Sequence, residues 1–352
     1  MIYFLVAFVL AILFTLLVKK IAQKKAIFDL PDNERKLHGQ PIPLLGGTAI
    51  FVAFWLVIFY LFNFTNLLSK NFNTRQLILI FLAGLILMMV GYWDDKKRIS
   101  YHWRLLFSVI AVLLVLAGGM NFTGVTNPFG GTIGLDFWKI NTQYFGTILV
   151  GVNILAFLWL LGMMYTVKIL DGLDGLSTGV SAIGALSIAA LAGGSTKFFQ
   201  PDVALAALVL VGACMGFLFF NFYPAKIFLG EGGGQFLGLM LGTLAIIAGS
   251  KIATALLVMA VPIIDLAWVI GARIFGGQSV ARGDRRHLHF RLVDIGWKQW
   301  QAVSLFYILS ALFGFSALFM SSVFKIASLI ILILMVIILE IYISVRLQYA
   351  KK

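Results

Sequence analysis

The opening stretch Met1-Ile2-Tyr3-Phe4-Leu5-Val6-Ala7-Phe8-Val9-Leu10-Ala11-Ile12-Leu13-Phe14-Thr15-Leu16-Leu17-Val18, followed at once by Lys19-Lys20, decides the fold class. It is uncharged throughout and about as long as the 20 or so residues that a helix needs to cross a bilayer. Its positive charges come after the apolar run, whereas a cleaved leader carries them before it. The segment therefore reads as an uncleaved span with its N-terminus outside. The rest of the 352 residues repeat this character, with 61% hydrophobic and only 12% charged residues and a mean hydropathy of +1.00. Apolar runs predict helices at 1–19, 44–64, 76–93, 104–120, 144–164, 175–193, 202–222, 235–249, 252–273, 301–323 and 327–345. The expected fold is an all-α integral membrane protein, a polytopic bundle of about 11 (10–11) transmembrane helices forming one domain over 1–352.

This composition excludes a soluble enzyme, a disordered chain and a fibre. It also excludes a nucleic-acid-binding module, despite a pI near 9.8. The single Cys214 rules out an internal disulfide and reads as a packing residue. Eleven spans force the loops to alternate sides, and 21 of the 27 Lys and Arg then fall on the side after odd-numbered spans. Positive residues mark the cytoplasmic side, so that side is assigned inward. Ten of the 14 acidic residues lie in these loops, and so do all four histidines. Asp265 lies inside a span, about two turns of helix from Arg273. The outer segment 121–143, with Gly130-Gly131 and Gly134, suggests a hairpin. Chemistry is expected at the cytoplasmic face of a plasma membrane.

Five polar constellations lie on that face. The loop Asp32-Asn33-Glu34-Arg35-Lys36-Leu37-His38 either gathers an anionic lipid head or sets topology. In Asp94-Asp95-Lys96-Lys97-Arg98, adjacent carboxylates at a membrane boundary need a counterion, supplied by the neighbouring bases or by a metal or phosphate site. Lys168-Ile169-Leu170-Asp171-Gly172-Leu173-Asp174-Gly175 presents two carboxylates on a tight turn, suited to Mg²⁺ or a nucleotide. Phe228-Leu229-Gly230-Glu231-Gly232-Gly233-Gly234 enters a helix through glycines, which serve either phosphate binding or close helix packing. Arg282-Gly283-Asp284-Arg285-Arg286-His287-Leu288-His289-Phe290-Arg291 reads as a diphosphate-binding surface or as a solvated basic loop. Together they point to Mg²⁺-assisted chemistry on a diphosphate.

Taken in order, these segments resemble the polyprenyl-phosphate N-acetylhexosamine-1-phosphate transferases of glycosyltransferase family 4. The pattern is Arg-Lys-x-His, Asp-Asp, Asp-Gly-x-Asp-Gly-Leu, Phe-Leu-Gly-acid-x-Gly and Arg-x-His-Leu-His, running from about Pro31 to Leu292. That family starts O-antigen, enterobacterial common antigen and wall teichoic acid; the phospho-MurNAc-pentapeptide translocase is more distant. The resemblance implies transfer of a HexNAc-1-phosphate, GlcNAc-1-phosphate first, from a UDP-sugar to undecaprenyl or another polyprenyl phosphate, releasing UMP. It implies Mg²⁺ as cofactor, with Mn²⁺ as a substitute. Asp94, Asp95, Asp171, His287 and His289 become the catalytic set, with Asp94 and Asp95 beside the lipid phosphate. Asp174 and Phe228 would meet the uracil. Lys168, Arg104, Arg286, Arg291, Arg35, Lys36 and His38 would hold phosphates, and Glu231 and Asp171 the metal. A homodimer is among the partner expectations.

Four positions depart from the family pattern. Glu231 stands where Asp is usual, Lys168 and Tyr165 where Asn is common, and Phe290 replaces the third member of a His-x-His-His run. A protonated lysine cannot ligate Mg²⁺, so Lys168 is expected to neutralise diphosphate charge while the longer Glu231 reaches the cation. The rival expectations are a non-enzymatic transporter of lipid-linked or organic anions, drawing on Asp265 and Glu340 within apolar runs, and a member of the family without activity.

Overall fold

The computed structural model describes residues 1–31, 38–68, 70–120, 125–126, 132–133, 138–142, 146–194, 199–248, 252–277 and 286–349. Thirteen helices occur among them: α1 (Ile2–Lys24), α2 (Gly46–Phe64), α3 (Thr74–Lys97), α4 (Tyr101–Ala117), α5 (Val150–Ile169), α6 (Leu176–Gly194), α7 (Pro201–Asn221), α8 (Glu231–Ile247), α9 (Ile252–Val258), α10 (Ala260–Phe275), α11 (Leu288–Asp294), α12 (Gln299–Phe319) and α13 (Ser322–Tyr349). Eight of these are long and apolar enough to cross a membrane: α1, α2, α3, α5, α6, α7, α12 and α13. The protein is an all-α polytopic membrane protein.

Each of the eleven predicted stretches carries helix, with two changes. The stretch predicted as one span over 252–273 breaks at Met259 into α9 and α10. Pro262 has no N–H to give the carbonyl four residues back, at Val258, and its ring crowds that carbonyl, so α9 stops there. Helix α5 begins at Val150 rather than 144, because Gly146–Leu149 form a strand, β6, paired with β5 (Lys139–Thr142). A second short pair, β3 (Val125–Thr126) with β4 (Thr132–Ile133), lies in the same region. A short apolar run rich in β-branched residues does not declare helix or strand by its periodicity.

Helix α8 is the axis of the bundle. Every residue from Gly232 to Ile246 is buried, as expected of a helix apolar on all sides that its neighbours enclose. It packs on α5, α3, α2 and α6. A Cβ on Gly232 would strike the Leu87 carbonyl of α3, and one on Gly91 of α3 would strike the backbone of Gly232. Gly47 of α2 meets Gly233 in the same way. Small residues let the helices touch backbone to backbone, and this is what Gly232 and Gly233 do. Aromatic rings fill the space between α2, α3 and α8, with Phe51 edge-on to Phe236 at 5.2 Å. Cys214 is buried in α7.

Candidate active site

The ends of α3, α5 and α7 and the starts of α2, α6 and α8 meet at one end of the bundle around a cleft of about 910 Å³. Asp94, Asp95, Lys168, Asp171, Asp174, Phe228, Glu231, His38 and His287 all line it, drawn from five separate stretches of sequence.

The centre of the cleft is made where α3 ends against the beginning of α8. Asp95 Oδ1 accepts the Glu231 amide N–H at 3.2 Å, so a carboxylate of one helix caps the N-terminus of the other. Gly230 makes this approach available. Its φ is +80°, and a Cβ there would lie 2.5 Å from Asp95 Oδ2. Arg104 comes in from α4 and its Nη1 donates to Asp94 Oδ2 at 3.2 Å, with Glu231 Oε1 at 3.9 Å. Lys168, in the last turn of α5, pairs directly with Glu231. It turns inward to the acidic cluster, and its charge acts on Asp94 as well.

The turn between α5 and α6 supplies Asp171 and Asp174. Asp174 Oδ2 accepts the Ala225 amide at 2.9 Å, tying this turn to the loop before α8. Gly172 is required by packing, because a Cβ would lie 2.5 Å from His289 Nε2 and from Phe290 Cζ. On the opposite wall, β1 (Phe28–Asp29) pairs with β2 (Ile42–Pro43). The Phe228 amide donates to the Pro43 carbonyl at 2.8 Å, and the Gly46 amide to the Phe228 carbonyl at 2.9 Å. These bonds hold the Phe228 ring 5.3 Å from that of His38. His38 Nε2 lies 2.9 Å from Asp29 Oδ2, and Nδ1 lies 2.8 Å from the Gln40 carbonyl.

The remaining expected residues are placed differently. Arg291 is turned away from the cleft: it forms an ion pair with the fully buried Glu340 of α13 and donates to Ser344 Oγ at 2.5 Å. Four residues beyond His287 on this short helix, the guanidinium finds its counterion between helices, and no diphosphate contact follows for it from this geometry. His289 is fully buried beneath the turn carrying Gly172, its ring 5.8 Å from that of His287 and nearly parallel. Burial pushes its imidazole down to about 4, a shift that Asp265 opposes and His287 reinforces, so the ring is neutral at physiological pH. Arg286 is exposed and does not line the cleft. Arg35 and Lys36 lie outside the described residues.

Two acids that the motif reading left out of the site bond residues at and next to it. Asp265 of α10 bonds His287, and Glu340 of α13 bonds Arg291. Their signal was visible, since a carboxylate inside an apolar run is costly unless partnered. The partner was not visible, because it lies 22 residues away in one case and 49 in the other. Both carboxylates are engaged in holding α11, which removes the support they lent to a transporter.

The donor set suits a magnesium ion. Asp94, Asp95, Asp171 and Glu231 are acids, outnumbering Arg104 and Lys168 by two formal charges. Asp94 Oδ1 is buried with no hydrogen-bond partner, which costs free energy unless a ligand or ion completes it. Among the described residues no group of three acids, histidines or cysteines forms a ready cage. Mg²⁺ is often held by one or two carboxylates, with waters and substrate phosphates completing its shell, so the arrangement is of the right kind.

Sequence comparison agrees with the family resemblance. The profile describing glycosyl transferase family 4 matches residues 77–249. A Bacillus subtilis (strain 168) protein named "Probable undecaprenyl-phosphate N-acetylglucosaminyl 1-phosphate transferase" is 29% identical over 346 residues, covering 96% of this chain and 89% of its own. The decaprenyl-phosphate N-acetylglucosaminephosphotransferase of Mycolicibacterium smegmatis is 30% identical over 311 residues, 81% of this chain and 73% of that protein. The phospho-N-acetylmuramoyl-pentapeptide-transferase of Listeria monocytogenes serotype 4b is 30% identical over 287 residues, 79% and 82% of the two chains.

Proposed function

The chain belongs to glycosyl transferase family 4, and from that premise we propose that it transfers a HexNAc-1-phosphate from a UDP-sugar to a polyprenyl phosphate. GlcNAc-1-phosphate is the first choice, because the Bacillus and Mycolicibacterium relatives are named for it. The products are the polyprenyl-diphosphate sugar and UMP, and the reaction opens a cell-envelope glycan pathway. The observation that carries this reading is the convergence of Asp94, Asp95, Asp171, Asp174, Phe228, Glu231 and Lys168 on one cleft at one end of the bundle.

A lipid phosphate oxygen attacks the β-phosphorus of the UDP-sugar. The bond from that phosphorus to the bridging oxygen breaks, and UMP leaves with the oxygen. Asp94 and Asp95 position the lipid phosphate. Arg104 and Lys168, preorganised by Asp94 and Glu231, take up negative charge that grows on the diphosphate. Phe228 offers a face to the base, and Asp174 sits on a turn anchored to Ala225 beside it. His287 belongs to the diphosphate end and His38 lines the same cleft, while Arg35 and Lys36 are assigned to phosphate binding by the family pattern alone. Asp171 and Glu231 would hold Mg²⁺, which when bound supplies Lewis-acid stabilisation of the departing phosphate.

The orientation follows from charge. Lys19, Arg98, Lys168 and Lys226 line the cleft end, as expected for the cytoplasmic side of a bacterial plasma membrane with eleven crossings and the N-terminus outside. Purified protein supplied with polyprenyl phosphate, Mg²⁺ and a panel of UDP-sugars releases UMP with at least one UDP-HexNAc. No release from any donor refutes the assignment.

A further inference from the structure

His287 lines the cleft, yet its ring is held from behind by a residue of α10. Asp265 in α10 is only 1% exposed, and both of its oxygens are used. Oδ2 lies 3.0 Å from His287 Nδ1, and Oδ1 accepts the Leu288 amide at 2.8 Å. Helix α11 has no side-chain cap of its own at His287. A carboxylate from another helix thus caps α11 and grips the histidine that precedes it. At the last turn of α11, Arg291 is held by Glu340 from α13. Two carboxylates placed inside apolar helices at considerable cost both go to fixing this one short helix.

We infer that Asp265 is a positioning residue that sets the tautomer and direction of His287, presenting Nε2 to the cleft. An ionised carboxylate only accepts, so Nδ1 carries the proton and donates it to Asp265. Among the described residues Nε2 takes no hydrogen-bond partner and is left for substrate. Neutral, it accepts; doubly protonated, the ring donates to a phosphate oxygen. What the ring meets rests on the function proposed above, whereas the tautomer does not.

The substitution Asp265→Asn tests this with little change of shape. Its oxygen is retained by the Leu288 amide, so its NH₂ group faces Nδ1 and drives the proton to Nε2. In the full chain, ¹⁵N-histidine spectra, with the His287 signal identified by its loss in His287→Gln, show Nδ1-protonated His287 in the wild type and the Nε2-protonated form in Asp265→Asn. UMP release falls at least about 100-fold in kcat, the scale of disabling a main catalytic group, while KM for the UDP-sugar stays within about threefold. In the His287→Gln background, Asp265→Asn costs nothing further, because residues acting through one another are non-additive. An unchanged tautomer overturns the inference even where the enzyme assay fails for other reasons. Losses that add, or a fall in melting temperature with KM rising as kcat falls, overturn it as well.

Discussion

Two buried acids at opposite ends of the bundle, Asp202 and Asp94, are treated in opposite ways. At the end away from the cleft, Asp202 opens α7 with only 2% exposure and every oxygen satisfied. Oδ2 accepts the Asn71 amide at 2.6 Å, Oδ1 accepts Asn71 Nδ2 at 2.7 Å, and Oδ1 also accepts the Val203 amide at 3.0 Å. At the cleft end Asp94 has one oxygen on Arg104 and the other buried without a partner. A closed hydrogen-bond account marks a staple. An open one, among further acids and two bases, marks a place where something binds, because an unmet buried acceptor costs free energy that folding alone has no reason to retain.

That contrast predicts how the two ends fail. The largest effects belong to the open end: Asp94→Asn, Asp95→Asn and Asp174→Asn each lower UMP release at least about 100-fold. Melting temperature in detergent changes little for Asp94→Asn, whose buried oxygen has no bond to lose. Near-wild-type turnover from all three erases the distinction between the ends.

Lys168 tests whether the cleft's bases serve ligand or only neutralise acids. Lys168→Ala raises the Mg²⁺ concentration needed for half-maximal rate and weakens UDP-sugar binding, each by about five- to tenfold, the scale of one charge-assisted contact. The pair Lys168→Asn with Glu231→Asp rebuilds the pattern usual in the family and recovers more activity than either single change. Superimposable Mg²⁺ titrations for wild type and Lys168→Ala would show that the ion pair with Glu231 is structural, like Asp202.

At the closed end, Asp202→Ala leaves the Asn71 and Val203 amides unmet and lowers stability by about 1–3 kcal/mol. Turnover per folded molecule stays within about twofold, read by UMP release normalised to the monodisperse fraction. A large loss of turnover at constant melting temperature would mean that the two ends communicate. The subtlest test concerns only which end faces in. In a Cys214-free chain, a cysteine at Lys70 is labelled from outside intact cells and one at Lys298 is not; the reverse pattern inverts the membrane orientation.

Much of this was legible in the chain. Uninterrupted apolar runs such as Met1–Val18 declare membrane helices because the bilayer demands about 20 apolar residues and internal backbone bonding. Motif order pointed to Asp94, Asp95, Asp171, Asp174, Phe228 and Glu231, and each lines the cleft. Where the reading left two meanings for the glycines of 230–234, packing separated them: Gly230 turns the backbone, and Gly232 and Gly233 seat α8 on its neighbours.

Partnership was decided only by the tertiary structure. Composition places Asp265 and Glu340 in apolar helices and Arg291 in a basic loop, but says nothing of which group answers which. Local charge density made Arg291 look like a phosphate ligand, while the folded chain gives it to Glu340. Lys168 could equally have extended to the headgroups; it turns to Glu231 because α8 brings that carboxylate beside the last turn of α5. Sequence patterns report the solvent each residue prefers, since hydropathy acts locally along the chain. Which buried charge meets which depends on helices brought together from distant positions, and in a low-dielectric interior that meeting determines what an ionisable residue does.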